Sequence, residues 1–342
     1  MLLNIAAIIA GFAILVWGAD RFVIGAAAMA RNFGVSPMLI GLTIVGFGTS
    51  APEILVSGVA AFQGNPGLAI GNAIGSNIAN IGLILGVTAL IAPLSVNSDT
   101  LKREYPILLA VSLLAVAVMY DRQLTLIDGL LMLTTLVAVL YILVRIGMRK
   151  RNADPLIEEF EAEIPAAMAT SKALIMFAVG LIALLVSSRM LVWGAVNVAT
   201  AFGVSDLVIG LTIVALGTSL PELAASIASA LKNEHDLAIG NVIGSNIYNI
   251  LAVLSMPALI APGTFSDVAF VRDIPVMMGL TLALLVMAYG FKGQGRINRI
   301  EGALLLAVFL GYQGLLFLSA HQAAHDEATA DAIVITTNSQ PS

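Results

Sequence analysis

Residues 68–81 read "LAIGNAIGSNIANI" and residues 237–250 read "LAIGNVIGSNIYNI". The two stretches differ at two positions and lie 169 residues apart. Extended outward, the same offset lays Ser36–Ile81 on Ser205–Ile250 without a gap, with 26 of 46 positions identical. "IGLTIV" repeats unchanged, "GTSAPE" at 48–53 becomes "GTSLPE" at 217–222, and "LIAP" at 90–93 recurs at 259–262. A match of that length at one fixed spacing marks a tandem duplication. The chain is two copies of one unit.

Composition says what kind of unit. Of the 342 residues, 59% are hydrophobic and 11% charged, with a mean hydropathy of +0.99. No water-soluble domain could cover that much apolar surface, so the expected class is an all-α polytopic membrane protein. Apolar windows fall near 2–30, 37–62, 68–93, 104–120, 124–146, 173–201, 206–231, 237–261, 274–291 and 299–319, which predicts ten transmembrane helices. The first window lacks a basic leader region and is too long for a signal peptide, so it is expected to stay as a span. There is no cysteine, which excludes disulfides, thiolate chemistry and Cys-ligated metal. The net charge of −5 gives no reason to expect nucleic acid as a partner.

Ten spans in two copies means five per copy. Five is odd, so the second copy enters the membrane from the opposite side and the halves form an inverted repeat. The expected organisation is a first five-helix repeat at 1–146 (motif region 36–93), a linker at 147–172, a second repeat at 173–320 (motif region 205–262) and a polar tail at 321–342. Twelve Lys and Arg fall on the side that carries the linker, and only Arg122 and Arg272 fall on the other. Positive charge marks the cytoplasmic face, so the linker is expected in the cytoplasm and both termini outside.

The chemistry sits in the duplicated motifs. Glu53 and Glu222 each lie inside an apolar span, where an acidic side chain costs roughly 2.5–3.5 kcal/mol on forgiving scales. On a helix, Thr49 and Ser50 share a face with Glu53. Pro52 lacks an N–H and crowds the carbonyl one turn back, so the turn over Gly48 and Thr49 is expected to open and free carbonyl oxygens. Gly217, Thr218, Ser219, Pro221 and Glu222 repeat the pattern. The next span carries a second polar stripe: Asn72, Ser76 and Asn80 with Asn77 beside them, mirrored by Asn241, Ser245, Asn249 and Asn246. Gly71 and Gly75, like Gly240 and Gly244, have the small-residue spacing that lets another helix approach closely.

Carboxylate, hydroxyl, amide and carbonyl oxygens suit hard cations such as Ca²⁺ and Na⁺ and not zinc or copper. The three histidines, His235, His321 and His325, lie in a loop and the tail. A single Thr-Ser-x-Pro would be read as a simple kink, but two copies with a buried glutamate each argue for a cation cage. For Asn72, Asn77, Asn241 and Asn246, packing and ligation both stay open. The acidic run Glu158, Glu159, Glu161 and Glu163 is expected to be a solvated linker.

The paired "GTSxPE" and "GSNIxNI" motifs, one pair per half, resemble the α-repeats of the sodium/calcium exchanger family, within the cation/calcium antiporters and on its prokaryotic side. The resemblance implies a Ca²⁺ exporter driven by Na⁺, resident in an inner (plasma) membrane, in which the first and sixth spans slide as gates past the other eight. It implies that Glu53 and Glu222 bridge Ca²⁺ and that Thr49 and Thr218 add backbone oxygens. Ser50, Ser219, Ser76 and Ser245 would serve neighbouring sodium sites, with Asn80 and Asn249 completing the set. Many exchangers carry an aspartate where this chain has Asn249, which leaves two central carboxylates and leaves H⁺ open beside Na⁺ as the driving ion. No cofactor and no obligate protein partner are implied; the partners are the ions and the lipid bilayer. No nucleotide fingerprint or HExxH-type motif supports an enzyme. A cation channel is the rival class, since acidic side chains and carbonyls also build pores.

Overall fold

The computed structural model describes residues 1–33, 46–96, 99–149, 168–289 and 295–338. The start of the second expected span, 37–45, and the acidic run of the linker lie outside the described residues, as do the side chains of His321 and His325.

Eleven helical segments carry the described chain. They are α1 (Leu2–Asn32), α2 (Gly46–Phe62), α3 (Pro66–Ile91), α4 (Asp99–Val118) and α5 (Leu126–Arg149). After the linker come α6 (Thr170–Phe202), α7 (Asp206–Thr218) and α8 (Leu220–Leu231), and α9 (His235–Ile260). Then follow α10 (Ala269–Asp273 running into Ile274–Tyr289) and α11 (Arg299–Asn338). Seven of these are long and apolar enough to cross a membrane, and the bent pair α7–α8 makes an eighth. The apolar stretches of α2 and α4 are shorter, at Phe47–Phe62 and Glu104–Val118. The last helix runs on to Asn338, well past the apolar stretch that ends at Ala320.

Two helices form the centre. α3 and α9 bury 78% and 89% of their most apolar stretch, against 17–33% for α1, α5, α6, α10 and α11. Their polar stripes can therefore be satisfied only by protein or by a ligand, never by lipid. Close approach explains the glycines: a Cβ on Gly71 would meet the Leu207–Leu211 backbone of α7, and one on Gly210 would meet Leu68 and Asn72 of α3.

α1 and α6 pair along an antiparallel seam. Gly11 lies against Leu191, Gly18 against Ala183 and Leu184, and Gly25 against Phe177, so rising numbers on one helix meet falling numbers on the other. Phe22 and Phe177 stack there with ring centroids 4.9 Å apart. This pair belongs to a small apolar cluster with Val56, Ala60 and Leu68, separate from the larger core around α3, α9, α4 and α10.

Two short antiparallel ribbons tie connections from different halves. Leu94–Ser95 (β1) pairs with Arg296–Ile297 (β4), and Gln123–Leu124 (β2) with Gly263–Thr264 (β3). Each ribbon requires its two connections to lie at the same end of the bundle.

Two features depart from simple helix. The backbone widens into π turns at Asn80–Leu85 and Asn249–Val253, at the same place in both halves, and also at Gly210–Val214 in α7 and Ala269–Asp273 in α10. Pro52 and Pro221 behave differently. Pro221 sits in the first turn of α8, after a break at Ser219 that bends the α7–α8 axis by 43°, but Pro52 lies inside the unbroken helix α2. The opened turn expected in both halves is present in one. A proline deletes one hydrogen bond and crowds one carbonyl, and a helix held by packing on both sides absorbs that without breaking.

Candidate cation site

The residues singled out in the sequence converge where α2, α3, α7, α8 and α9 meet. Glu53 and Glu222 are 1% and 0% exposed, and Ser50, Ser219, Ser76, Ser245, Thr218, Asn80 and Asn249 are also buried. Thr49 is half-buried. Helical spacing puts Thr49, Ser50 and Glu53 on one side of α2, and Glu222 lies in the first turn of α8, just after the break at Ser219.

Hydrogen bonds join the halves by exchange. Thr49 Oγ1 of the first half lies 3.4 Å from Asn241 Oδ1 of the second. Thr218 Oγ1 of the second lies 3.1 Å from Asn72 Oδ1 of the first. Subtracting the 169-residue offset turns one contact into the other, so the two contacts are reciprocal between the halves. Thr218 Oγ1 also reaches the Val214 and Ala215 carbonyls at 3.1 and 3.3 Å, so its single proton is shared among three acceptors.

The carboxylates are not equally served. Ser219 Oγ lies 3.5 Å from Glu53 Oε1, across the halves, and Ser245 Oγ lies 3.4 Å from Glu222 Oε1 within one half. Thr49 Oγ1 approaches Ser245 Oγ at 3.3 Å. Asn80 Nδ2 donates to Asn246 Oδ1 at 3.0 Å, but its reciprocal counterpart is not made: both amide atoms of Asn249 and the Oδ1 of Asn77 stay unpartnered.

The unpartnered atoms decide the chemistry. Glu53 Oε2, Glu222 Oε2, Ser50 Oγ, Ser76 Oγ, Asn80 Oδ1 and Asn249 Oδ1 are buried without a hydrogen-bond partner. Leaving a buried polar group unpaired costs about 1–3 kcal/mol, and more when it is charged. Asp273 shows what a structural buried carboxylate looks like: Arg272 Nε and Nη2 lie 2.6 and 3.2 Å away, and Tyr312 donates at 2.8 Å. Neither Glu53 nor Glu222 has a cationic partner among the described residues. Unpartnered oxygens together with two carboxylates that have no cationic partner among the described residues make the donor set of a Na⁺ or Ca²⁺ cage. Asn77 and Asn246 sit at its edge, Asn77 Nδ2 bonding the Ala73 carbonyl at 3.1 Å.

Four residues went unassigned in the sequence. The sequence leaves Asn72 and Asn241 open between packing and ligation and gives Ser57 and Ser226 no role. Asn72 Nδ2 bonds Ser57 Oγ at 2.9 Å, and Asn241 Nδ2 bonds Ser226 Oγ at 3.3 Å. Their identity at the 169-residue offset was the available signal.

The sequence and the fold both have known relatives. The family described as "Sodium/calcium exchanger protein" matches residues 3–145 and 172–318. The proposed antiporter CaxA of Alkalimonas amylolytica is 52% identical over 319 residues, covering 93% of this chain and 100% of that protein. The inner membrane protein YrbG of Escherichia coli (strain K12) is 41% identical over 319 residues, covering 93% and 98%. A solved structure of the sodium-calcium exchanger NCX_Mj, soaked with 100 mM Na⁺ and 10 mM Sr²⁺, superposes with a TM-score of 0.62 at 35% identity, covering 90% of this chain and 97% of that one. With both halves matched, the chain belongs to the sodium/calcium exchanger family, which transports Na⁺ and Ca²⁺ across membranes.

Proposed function

We propose that this protein is an antiporter that exports Ca²⁺ in exchange for Na⁺ by alternating access. All ten apolar segments cross the membrane as two inverted five-helix repeats, residues 1–146 and 173–320. The linker 147–172 is cytoplasmic, and both termini lie outside an inner membrane like that named for YrbG. The two ribbons fit this layout, because each joins connections that the alternation of spans puts on one side.

Cations bind near the midplane between the repeats. Glu53 and Glu222 bridge Ca²⁺, with backbone oxygens at Thr49 and Thr218. Ser50, Ser219, Ser76 and Ser245, with Asn80 and Asn249, hold Na⁺ alongside. The single observation that carries this assignment is the pair of buried carboxylates, equivalent at the 169-residue offset, each with an unpartnered Oε2. An empty cage leaves two carboxylates in a poor solvent, so reorientation without cations is costly. Coupling follows from that cost. The gates are α1 and α6, which pack on each other and on a separate small cluster.

The test is flux in vesicles loaded with Ca²⁺ at fixed membrane potential. A Na⁺ step should drive efflux, and a pH step should not. Efflux driven by pH alone would make the protein an H⁺/Ca²⁺ exchanger. Ca²⁺ movement with no counter-ion would make it a channel.

A further inference from the structure

Asn72 and Asn241 are outside the ligand set proposed above, yet each ties three segments together. Asn72 is 0% exposed. Its Nδ2 donates to the Glu53 carbonyl at 3.2 Å and to Ser57 Oγ at 2.9 Å, and its Oδ1 faces Thr218 Oγ1 at 3.1 Å. Asn241 does the same with the Glu222 carbonyl at 3.4 Å, Ser226 Oγ at 3.3 Å and Thr49 Oγ1 at 3.4 Å. Ser57 and Ser226 pass the bond on to the Ala69 and Ala238 carbonyls, both at 3.4 Å. In each set the amide grips its own repeat's glutamate turn through N–H and the other repeat's threonine through C=O.

We propose that Asn72 and Asn241 are positioning residues that set the width of the cation cage, and with it the choice among divalent cations. This rests on the exchange function proposed above. The two carboxylates attract Ca²⁺, Sr²⁺ and Ba²⁺ through the same charge. Choosing the smallest requires a cage that resists widening, because selectivity between hard cations follows cavity size, ligand number and flexibility. Widening this cage means moving the turn of Glu53 away from Thr218, or that of Glu222 away from Thr49. Asn72 and Asn241 span those two gaps. Asn72 is suited to the task because both its amide hydrogens and its oxygen are engaged, whereas Asn77, Asn80, Asn246 and Asn249 each keep an unpartnered amide atom. Its contacts are shorter than those of the half-buried Asn241, so its clamp is the stiffer one.

The experiment measures Ca²⁺, Sr²⁺ and Ba²⁺ affinity by calorimetry on the purified full-length chain, beside exchange in vesicles. Outer partners of metal ligands typically contribute about 10–100-fold in affinity. Asn72→Ala should lose that much for Ca²⁺ and less for Ba²⁺, so the Ca²⁺/Ba²⁺ affinity ratio falls severalfold. Asn241→Ala should move the ratio the same way by less, and it keeps the test alive if Asn72→Ala does not fold. Adding Thr218→Val to Asn72→Ala should lower the ratio no further, since the two act through one contact. Ser112→Ala removes a comparable buried bond, Ser112 Oγ to the Leu108 carbonyl at 2.8 Å within α4, outside the proposed ligand set; it should lower the melting temperature and leave the ratio unchanged. Equal weakening of all three cations, or an unchanged ratio in both asparagine variants, overturns the proposal. A wild type that binds the cations but shows no Na⁺-driven Ca²⁺ flux overturns the exchange function instead, and the ratio still judges the clamp. A wild type that binds none of the three overturns both.

Discussion

Ser219 Oγ lies 3.5 Å from Glu53 Oε1, so a hydroxyl of the second repeat meets the carboxylate of the first. The reverse contact is not made: Ser50, the counterpart of Ser219, is buried with an unpartnered Oγ, as is Ser76, the counterpart of Ser245. The cage is symmetric in sequence and asymmetric in its bonds.

That asymmetry predicts a split between stability and function. Removing a buried hydroxyl that has no partner relieves a desolvation cost. Ser50→Ala and Ser76→Ala should therefore melt no lower than wild type in Na⁺-free buffer. Their Na⁺ concentration for half-maximal exchange should rise roughly three- to tenfold, the worth of about one hydrogen-bond-strength contact. Melting curves with and without Na⁺, set beside exchange rates, check both halves. An unchanged Na⁺ dependence in both variants would remove these serines from the site.

The carboxylates themselves should be indispensable. Glu53→Gln or Glu222→Gln keeps shape and removes the charge proposed to hold a dehydrated Ca²⁺. The expected loss of Ca²⁺ affinity exceeds the about 10–100-fold seen for outer partners of metal ligands. Because a ligand bound only to the folded state raises the melting temperature, Ca²⁺ should stabilise the wild type and neither variant. A normal Ca²⁺ shift in both would place the site elsewhere.

The duplication made much of this visible in advance. Identity at a fixed offset pointed to Glu53 and Glu222, their hydroxyl neighbours and the two matched halves of the chain, because an apolar span tolerates a carboxylate only for a reason. The π turns that begin at Asn80 and Asn249 were not visible, since a shift in hydrogen-bond register leaves no trace in composition. Nor was the difference between Pro52 and Pro221: the residue is the same, and the packing around it decides whether the axis breaks. The Asn72–Thr218 contact joins residues 146 apart and exists only after the helices pack.

Equivalent glycines predict which way the site faces. A Cβ on Gly75 would sit 2.8 Å from Ala215 Cβ and from Leu211 Cα, whereas one on Gly244 would meet no atom of the described residues within 4 Å. Asn72 and Thr218 are buried, and Asn241 and Thr49 are half-exposed. Among the described residues the Thr218 side is the more closely covered, and the proposed orientation puts the Thr49 side toward the cytoplasm, so the proposed site is expected to open inward. The chain has no cysteine, so single reporters are clean. Gly244→Cys should react with a membrane-impermeant maleimide from the cytoplasmic face of oriented vesicles, and Gly75→Cys should stay unlabelled. The opposite pattern would mean that the site opens outward.

A second glycine packs against the proposed gate helix α1. The ring of Phe12 on α1 lies directly against Gly217, and Val23 of the same helix lies against its counterpart Gly48, so a Cβ at either place would collide with α1. Overpacking of this kind costs about 1–3 kcal/mol, which shifts a two-state balance by about 5–150-fold. Gly217→Ala should therefore drive α1 off its seat, depopulate this arrangement and slow maleimide labelling of Gly244→Cys. Phe12→Ala removes the colliding ring, so Phe12→Ala with Gly217→Ala should recover labelling that Gly217→Ala alone has lost. A general loss of folding would not be repaired by deleting a second side chain, which separates a gate from mere damage. If Gly217→Ala labels and exchanges like wild type, Phe12 is not the seat of the gate.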